Sequence, residues 1–146
     1  MWISKIIRTI LLLTIAPMLY GQNITDYQWK NRLVFLVGET IETPVMRSQL
    51  KSFLKQADAL EEREILIIQL TPKEVVVYSR AESKLSPDAI YYYLSISKDF
   101  KGVLLVGKDG GVKLKRTFEV QPEVIFSLID GMPMRKSELK STKGNK

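Results

Sequence analysis

The sequence predicts an α/β sandwich, a mixed β-sheet with helices on both faces. Three observations predict it. Apolar runs of strand length, Arg32–Val37, Ile65–Leu70 and Val103–Val106, alternate with segments whose apolar residues recur at helical spacing. Proline stands at the start of each helical segment, in Thr43-Pro44, Ser86-Pro87 and Gln121-Pro122, where its missing N–H costs nothing. An Asp-Gly pair, Asp109-Gly110, separates the last two strand-like runs, as a hairpin turn does. With 146 residues, 45% hydrophobic and 26% charged, the chain has room for one domain around one core.

The elements follow in order. Lys5 and Arg8 precede the apolar run Ile10–Tyr20, and Leu19-Tyr20-Gly21 offers a small residue for cleavage, so residues 1–21 are expected to be a secretory signal peptide. The run is too short for a membrane span, which needs about 20 apolar residues; an uncleaved N-terminal anchor is the alternative. The domain is expected over 22–134. Its polar lead-in, Gln22–Asn31, carries Tyr27 and Trp29, both expected to pack on the body, and Asn23-Ile24-Thr25 has the glycosylation acceptor pattern, which matters only in a eukaryotic secretory pathway. "RLVFLV" (32–37) reads as a strand covered on both faces and ends at Gly38. Met46, Leu50, Phe53, Leu54, Ala57 and Leu60 then form one apolar stripe of about four turns.

"ILIIQL" (65–70) and "VVVY" (75–78) are rich in β-branched residues and read as strands, with Pro72 either ending the first or bending an edge. Ile90, Tyr93, Leu94 and Ser97 mark the inward side of a second helix, with Tyr91 and Tyr92 nearer its rim. Val103–Val106 is the next strand, and Val112–Lys115 alternates as a half-exposed one does. Between them, Asp109, Gly110 and Gly111 are expected to form a tight turn, with both glycines supplying positive φ. A phosphate-binding loop is the competing reading. It lacks the terminal Lys-Ser/Thr of such loops, and a strand follows the glycines where a helix would be needed. Ile125, Leu128, Ile129 and Met132 define a third helix, capped near Gly131, and residues 135–146 read as a frayed basic tail without apolar period. This order is the layout of a thioredoxin-like three-layer sandwich, with other small α/β sandwiches as alternatives.

Composition excludes whole classes of chemistry. The chain has no cysteine, so no disulfide staples it and no thiol reacts; it has no histidine, so the usual general base near neutral pH and the commonest transition-metal ligand are missing. Net charge is +6, and loss of Lys5 and Arg8 with the signal lowers it to +4. That surplus sits in Arg135, Lys136, Lys140, Lys143 and Lys146, against Glu138, while the body between balances. Nucleic acid is a poor partner for such a body. The expected partner is an unknown protein or an anionic envelope component, with no cofactor, no metal and no transmembrane span once the signal is cleaved.

"VLLVGKDGGVKLKR" followed by "IFSLIDGMPMRKSE" resembles the C-terminal signature of a thioredoxin-like domain family of unknown function, found in exported bacterial proteins and in vertebrate extracellular-matrix proteins with sushi repeats. The resemblance spans roughly Leu33 to Leu139 and is concentrated in Gly107–Lys113 and Ile129–Arg135. It implies a peroxiredoxin-like architecture, a bacterial origin and a periplasmic or extracellular location, and it implies no activity.

Thioredoxin-like redox enzymes carry their nucleophilic cysteine between the first strand and first helix, where the helix N-terminus lowers the thiol pKa. This chain has Gly38–Pro44 there, and no proline directly precedes Val103, where redox members present one to substrate. A non-catalytic binding or structural domain is therefore the leading expectation. The alternatives are a cofactor-free enzyme using Glu39 and Glu42 as an acid–base pair, and a redox-dead relative that still grips a peptide. Candidate binding residues are Glu39, Glu42, Met134, Arg135 and Lys136, the methionines flanking Pro133 being either core closure or a flexible docking edge.

Overall fold

The structure is a computed structural model, and residues 23–78 and 84–144 are described here. Residues 1–21, expected to be a signal peptide, lie outside the described residues. A 3₁₀ turn, Ile24–Tyr27, opens the domain with a capping box: Asn23 accepts from the Thr25 amide, and Asp26 accepts from the Asn23 amide at 3.0 Å. The strands are β1 (Arg32–Val37), β2 (Ile65–Leu70), β3 (Val75–Val77), β4 (Gly102–Val106) and β5 (Val112–Thr117); the helices are α1 (Pro44–Leu54), α2 (Ala57–Glu62), α3 (Pro87–Leu94), α4 (Pro122–Asp130) and α5 (Pro133–Gly144).

One five-stranded sheet has the order β3-β2-β1-β4-β5. β1 and β2 run parallel, joined by the crossover through α1 and α2, and every other pairing is antiparallel. The continuous apolar runs therefore lie in the centre, where both faces are covered: β1, β2 and β4 are buried at every position, whereas edge strand β5 is exposed along most of its length. Phe35, Ile68, Leu104 and Val106 pack under α3 and the 3₁₀ turn; Val34, Ile67, Val103 and Leu105 pack under α1, α2 and α4. A buried amide closes the second layer: Gln49 on α1 donates to the Val120 carbonyl and accepts from the Val120 amide, both at 2.7 Å, tying α1 to the connection after β5.

Several expectations are corrected. The four-turn stripe is two helices, broken at Lys55 and Gln56, and Phe53 and Leu60 still reach one core. Of the two readings of Pro72, the one in which it ends the strand holds: β2 stops at Leu70 and Pro72 lies in the turn that follows. Tyr91 is buried and Tyr92 is 89% exposed, because Tyr91 stands three residues before Leu94 on the inward face, whereas Tyr92 is two residues from both Ile90 and Leu94 and faces away. Tyr27 packs on the body, but Trp29 is 64% exposed. In the hairpin Gly107 and Gly111 close the loop, and Gly110 alone has positive φ, at 84°. The largest correction concerns the C-terminus: residues 133–144 form α5, and Arg135, expected in a frayed tail, is buried.

Candidate functional site

Parallel β1 and β2 begin at the same end of the sheet, and antiparallel β4 finishes there. This geometry brings Arg32, the residues preceding β2 and the 107–113 hairpin loop together, and α5 crosses the same end. Arg32 is 1% exposed and grips Glu138 of α5 through both terminal nitrogens, at 3.0 and 3.3 Å, while donating to the Arg63 carbonyl at 2.9 Å. Lys108 donates to Glu138 at 2.8 Å and pairs with Glu64. Arg63 holds Asp130 at the end of α4 through two nitrogens, at 2.7 and 3.0 Å, and lies over the Phe126 ring. Arg135 reaches back to Glu62, donating to its carboxylate at 2.6 Å and its carbonyl at 3.0 Å. Its Nε is buried without a hydrogen bond, 3.5 Å from Asp130.

Arg32, Arg63, Lys108 and Arg135 thus balance Glu62, Glu64, Asp130 and Glu138 in one continuous network. The titration directions follow from it. Burial opposes the charged form of Glu138, but hydrogen bonds from Lys108 and Arg32 outweigh it and hold the carboxyl below its ordinary range. Burial likewise opposes the Lys108 ammonium, and Glu138 and Glu64 together raise its pKa. The Arg63 hydrogen bond holds the Asp130 carboxyl low despite partial burial. Each carboxylate of the network meets at least one cation, so the network suits structure rather than proton transfer.

Over this floor lies a cleft of about 490 Å³. Gly107, Lys108, Asp109 and Lys113 form one wall, and Leu128, Met132, Pro133 and Met134 the other. Both signature segments singled out in the sequence therefore meet in one cleft. The hairpin wall is pinned: Tyr93 donates to the Gly110 carbonyl at 2.6 Å, Gln28 to the Asp109 carbonyl at 2.8 Å, and Asp109 accepts from Lys113 at 2.7 Å and the Gly111 amide at 3.1 Å. The Lys113 and Gly111 hydrogen bonds set the Asp109 carboxyl below its ordinary range. A Cβ on Gly110 would lie 2.7 Å from the Tyr93 hydroxyl, so the turn needs glycine for space as well as for φ. Met134, 41% exposed, forms the accessible rim.

The opposite end carries the other predicted residues. Glu39 pairs with Lys101 at 3.1 Å and Glu42 pairs with Arg47, each carboxylate about two-thirds exposed. The two glutamates take separate partners and are not brought together as an acid–base pair. Beneath their loop, Met46 is fully buried, and a Cβ on Gly38 would lie 2.6 Å from its Cε. Met46 of α1 thus packs against the backbone at Gly38, the start of the connection between β1 and α1. Of the predicted binding residues, Met134 alone lines the cleft, Arg135 is committed to the network, and Lys136 is exposed on α5. Arg32, Lys108 and Glu138 were missed as site residues. The signals available were a cation fused to an apolar strand and an i, i+3 Arg-Glu pair following a proline. Among the described residues there is no cluster of acidic side chains that could hold a metal ion, and no helix is long and apolar enough to cross a membrane.

No curated protein sequence matches the chain. Among solved structures, it is similar to the reduced 2-Cys peroxiredoxin of Plasmodium vivax, at 13% identity and a TM-score of 0.53, over 80% of this chain and 85% of that one. A likeness at this identity speaks for the fold alone, and it establishes the thioredoxin-like architecture. Residues 23–138 match the family described as a domain of unknown function, DUF4174, a span that stops at the glutamate joining α5 to Arg32 and Lys108, and the chain belongs to that family.

Proposed function

We propose that this chain is an exported, non-catalytic thioredoxin-like domain that acts at the cell envelope by binding, and that the cleft between the hairpin loop and the α4–α5 junction is where it binds. The observation that carries the reading is the convergence of both signature segments on this cleft. The opposite end holds the cysteine-free connection Gly38–Pro44 where a redox member holds its thiol. The chemistry of the cleft fits an apolar side chain of a partner protein. Its rim is Leu128, Met132, Pro133 and Met134, and the cations of its floor already hold carboxylates. The redox-dead, peptide-gripping reading becomes one form of this proposal with the grip moved to the other end of the sheet. The enzyme reading needs Glu39 and Glu42 to face one another, and their separate ion pairs give it no support.

Export and binding are tested together in the native host. Fractionation with N-terminal sequencing is expected to recover a chain beginning near Gln22 outside the cytoplasm. A photo-crosslinking residue at Met134 or Leu128 is expected to trap a defined protein adduct that the same probe at Glu39 does not trap. A cytosolic chain still beginning at Met1 overturns the envelope reading, and adducts only from Glu39 overturn the choice of cleft.

A further inference from the structure

We propose that the exposed lysine stripe of α5, together with Trp29, is a docking surface for an anionic lipid bilayer. Lys136, Lys140 and Lys143 follow at i, i+4 and i+7, which places them on one face of the helix. All three are exposed, and none enters an ion pair among the described residues. The reason lies in how α5 is held. Its one acidic residue, Glu138, is turned inward to Arg32 and Lys108, so the helix spends its counter-charge on the body and presents bare lysines to solvent. The hydroxyls of Ser137, Ser141 and Thr142 bond back to carbonyls of the helix itself.

Trp29 stands at the same end of the molecule. Its amide donates to the Lys108 carbonyl at 2.7 Å, and the Lys108 ammonium in turn holds Glu138 of α5. The residue is held at φ 65°, an uncommon conformation for a bulky side chain, and its indole is 64% exposed. Exposed indole and uncompensated lysine are the two side-chain types that favour the headgroup region. Tryptophan is amphipathic enough to sit there, and lysine is drawn by anionic lipid. Charge complementarity selects a bilayer over a small anion, because the lysines follow a convex helix and enclose no pocket. The proposal rests on the envelope reading for its setting and not on the cleft.

The test is co-sedimentation of the chain, in the form the cell retains, with phosphatidylglycerol-containing vesicles and with pure phosphatidylcholine vesicles at low and high salt. The variants are Lys136→Gln/Lys140→Gln/Lys143→Gln and Trp29→Ala, with melting curves to verify their fold. The wild type is expected to bind the anionic vesicles at low salt and to release as salt rises. The triple variant should lose binding by roughly a hundredfold, from the attraction of three lysines near an anionic surface. Trp29→Ala should bind several-fold more weakly with an unchanged salt slope. Equal binding by wild type and triple variant, or equal binding to both vesicle types, overturns the proposal. Retention on an acidic polysaccharide without vesicle binding overturns it too and assigns the stripe to a glycan. None of these outcomes depends on export or on the crosslinks at Met134, so this proposal and the preceding one fail separately.

Discussion

Where β1 and β2 end, Glu39 and Glu42 are about two-thirds exposed and each holds one exposed cation; where those strands begin, Glu138 is 26% exposed and holds Arg32 and Lys108, which are almost fully enclosed. The residue types match, and the energetics do not. Exposed pairs exchange protein contacts for water at little net gain. Enclosed pairs have already lost their water, so removing one partner strands the other. Among the described residues, then, the enclosed ion pairs of Arg32 and Lys108 with Glu138 fix α5 across the starts of the central strands, and the exposed pairs at the other end fix nothing comparable. The cleft formed by the two signature segments exists because α5 is fixed in this way.

Truncation of α5 strikes the enclosed end hardest. Removal of residues 135–146 takes Arg135 and Glu138 out of the network and leaves Arg32 without its carboxylate, and a loss of about 3–4 kcal/mol is expected in urea unfolding. The frayed-tail reading of the sequence anticipates an unchanged midpoint, so the two accounts separate cleanly. Arg32→Met is expected to cost about 2–3 kcal/mol, since Glu138 keeps Lys108 but the two-nitrogen contact and the bond to the Arg63 carbonyl are lost.

Gly110→Val should cost about 2 kcal/mol, combining left-handed φ with displacement of the Tyr93 hydroxyl, whereas Gly111→Ala should be nearly neutral because Gly111 carries no positive φ. Acid provides a gentler probe. Glu138, Asp130 and Asp109 have folded pKa values below their unfolded ones, so their stabilisation is present above the unfolded carboxylate value of about 4 and is lost as pH falls through the folded values. Lys108 is raised, so its contribution is complete below about pH 10 and is lost as pH rises past its folded pKa. Melting temperature should therefore hold from neutral pH to about 5 and fall below about 4, and Glu138→Gln should flatten that fall. Glu39→Gln should lie at the small end, within about 0.5 kcal/mol of wild type.

Much of the fold was legible because apolar period, proline and Asp-Gly act locally. Pro44, Pro87 and Pro122 each begin a helix, and the runs at 32–37, 65–70 and 103–106 are the three central strands. The break between α1 and α2 left no sequence mark, since Phe53 and Leu60 continue the apolar pattern across Lys55-Gln56. α5 was invisible for a different reason. Its anchoring residues are Arg135 and Glu138, whose burial depends on partners at positions 32, 62, 108 and 130, and no local period encodes contacts of that range. The candidate site was half legible: the two signature segments were recognised, but their meeting in one cleft follows from strand direction and register.

Glu138 and Arg32 act as one unit that fixes α5 and thereby builds the cleft. A double-mutant cycle measures this directly, using Arg32→Met, Glu138→Gln and the combined variant in urea unfolding, with Glu39→Gln and Lys101→Gln as the parallel cycle at the other end. The expected result is a coupling of about 1–2 kcal/mol for Arg32 with Glu138 and one below about 0.5 kcal/mol for Glu39 with Lys101. Additive losses for Arg32 and Glu138, indistinguishable from the exposed pair, would contradict the account.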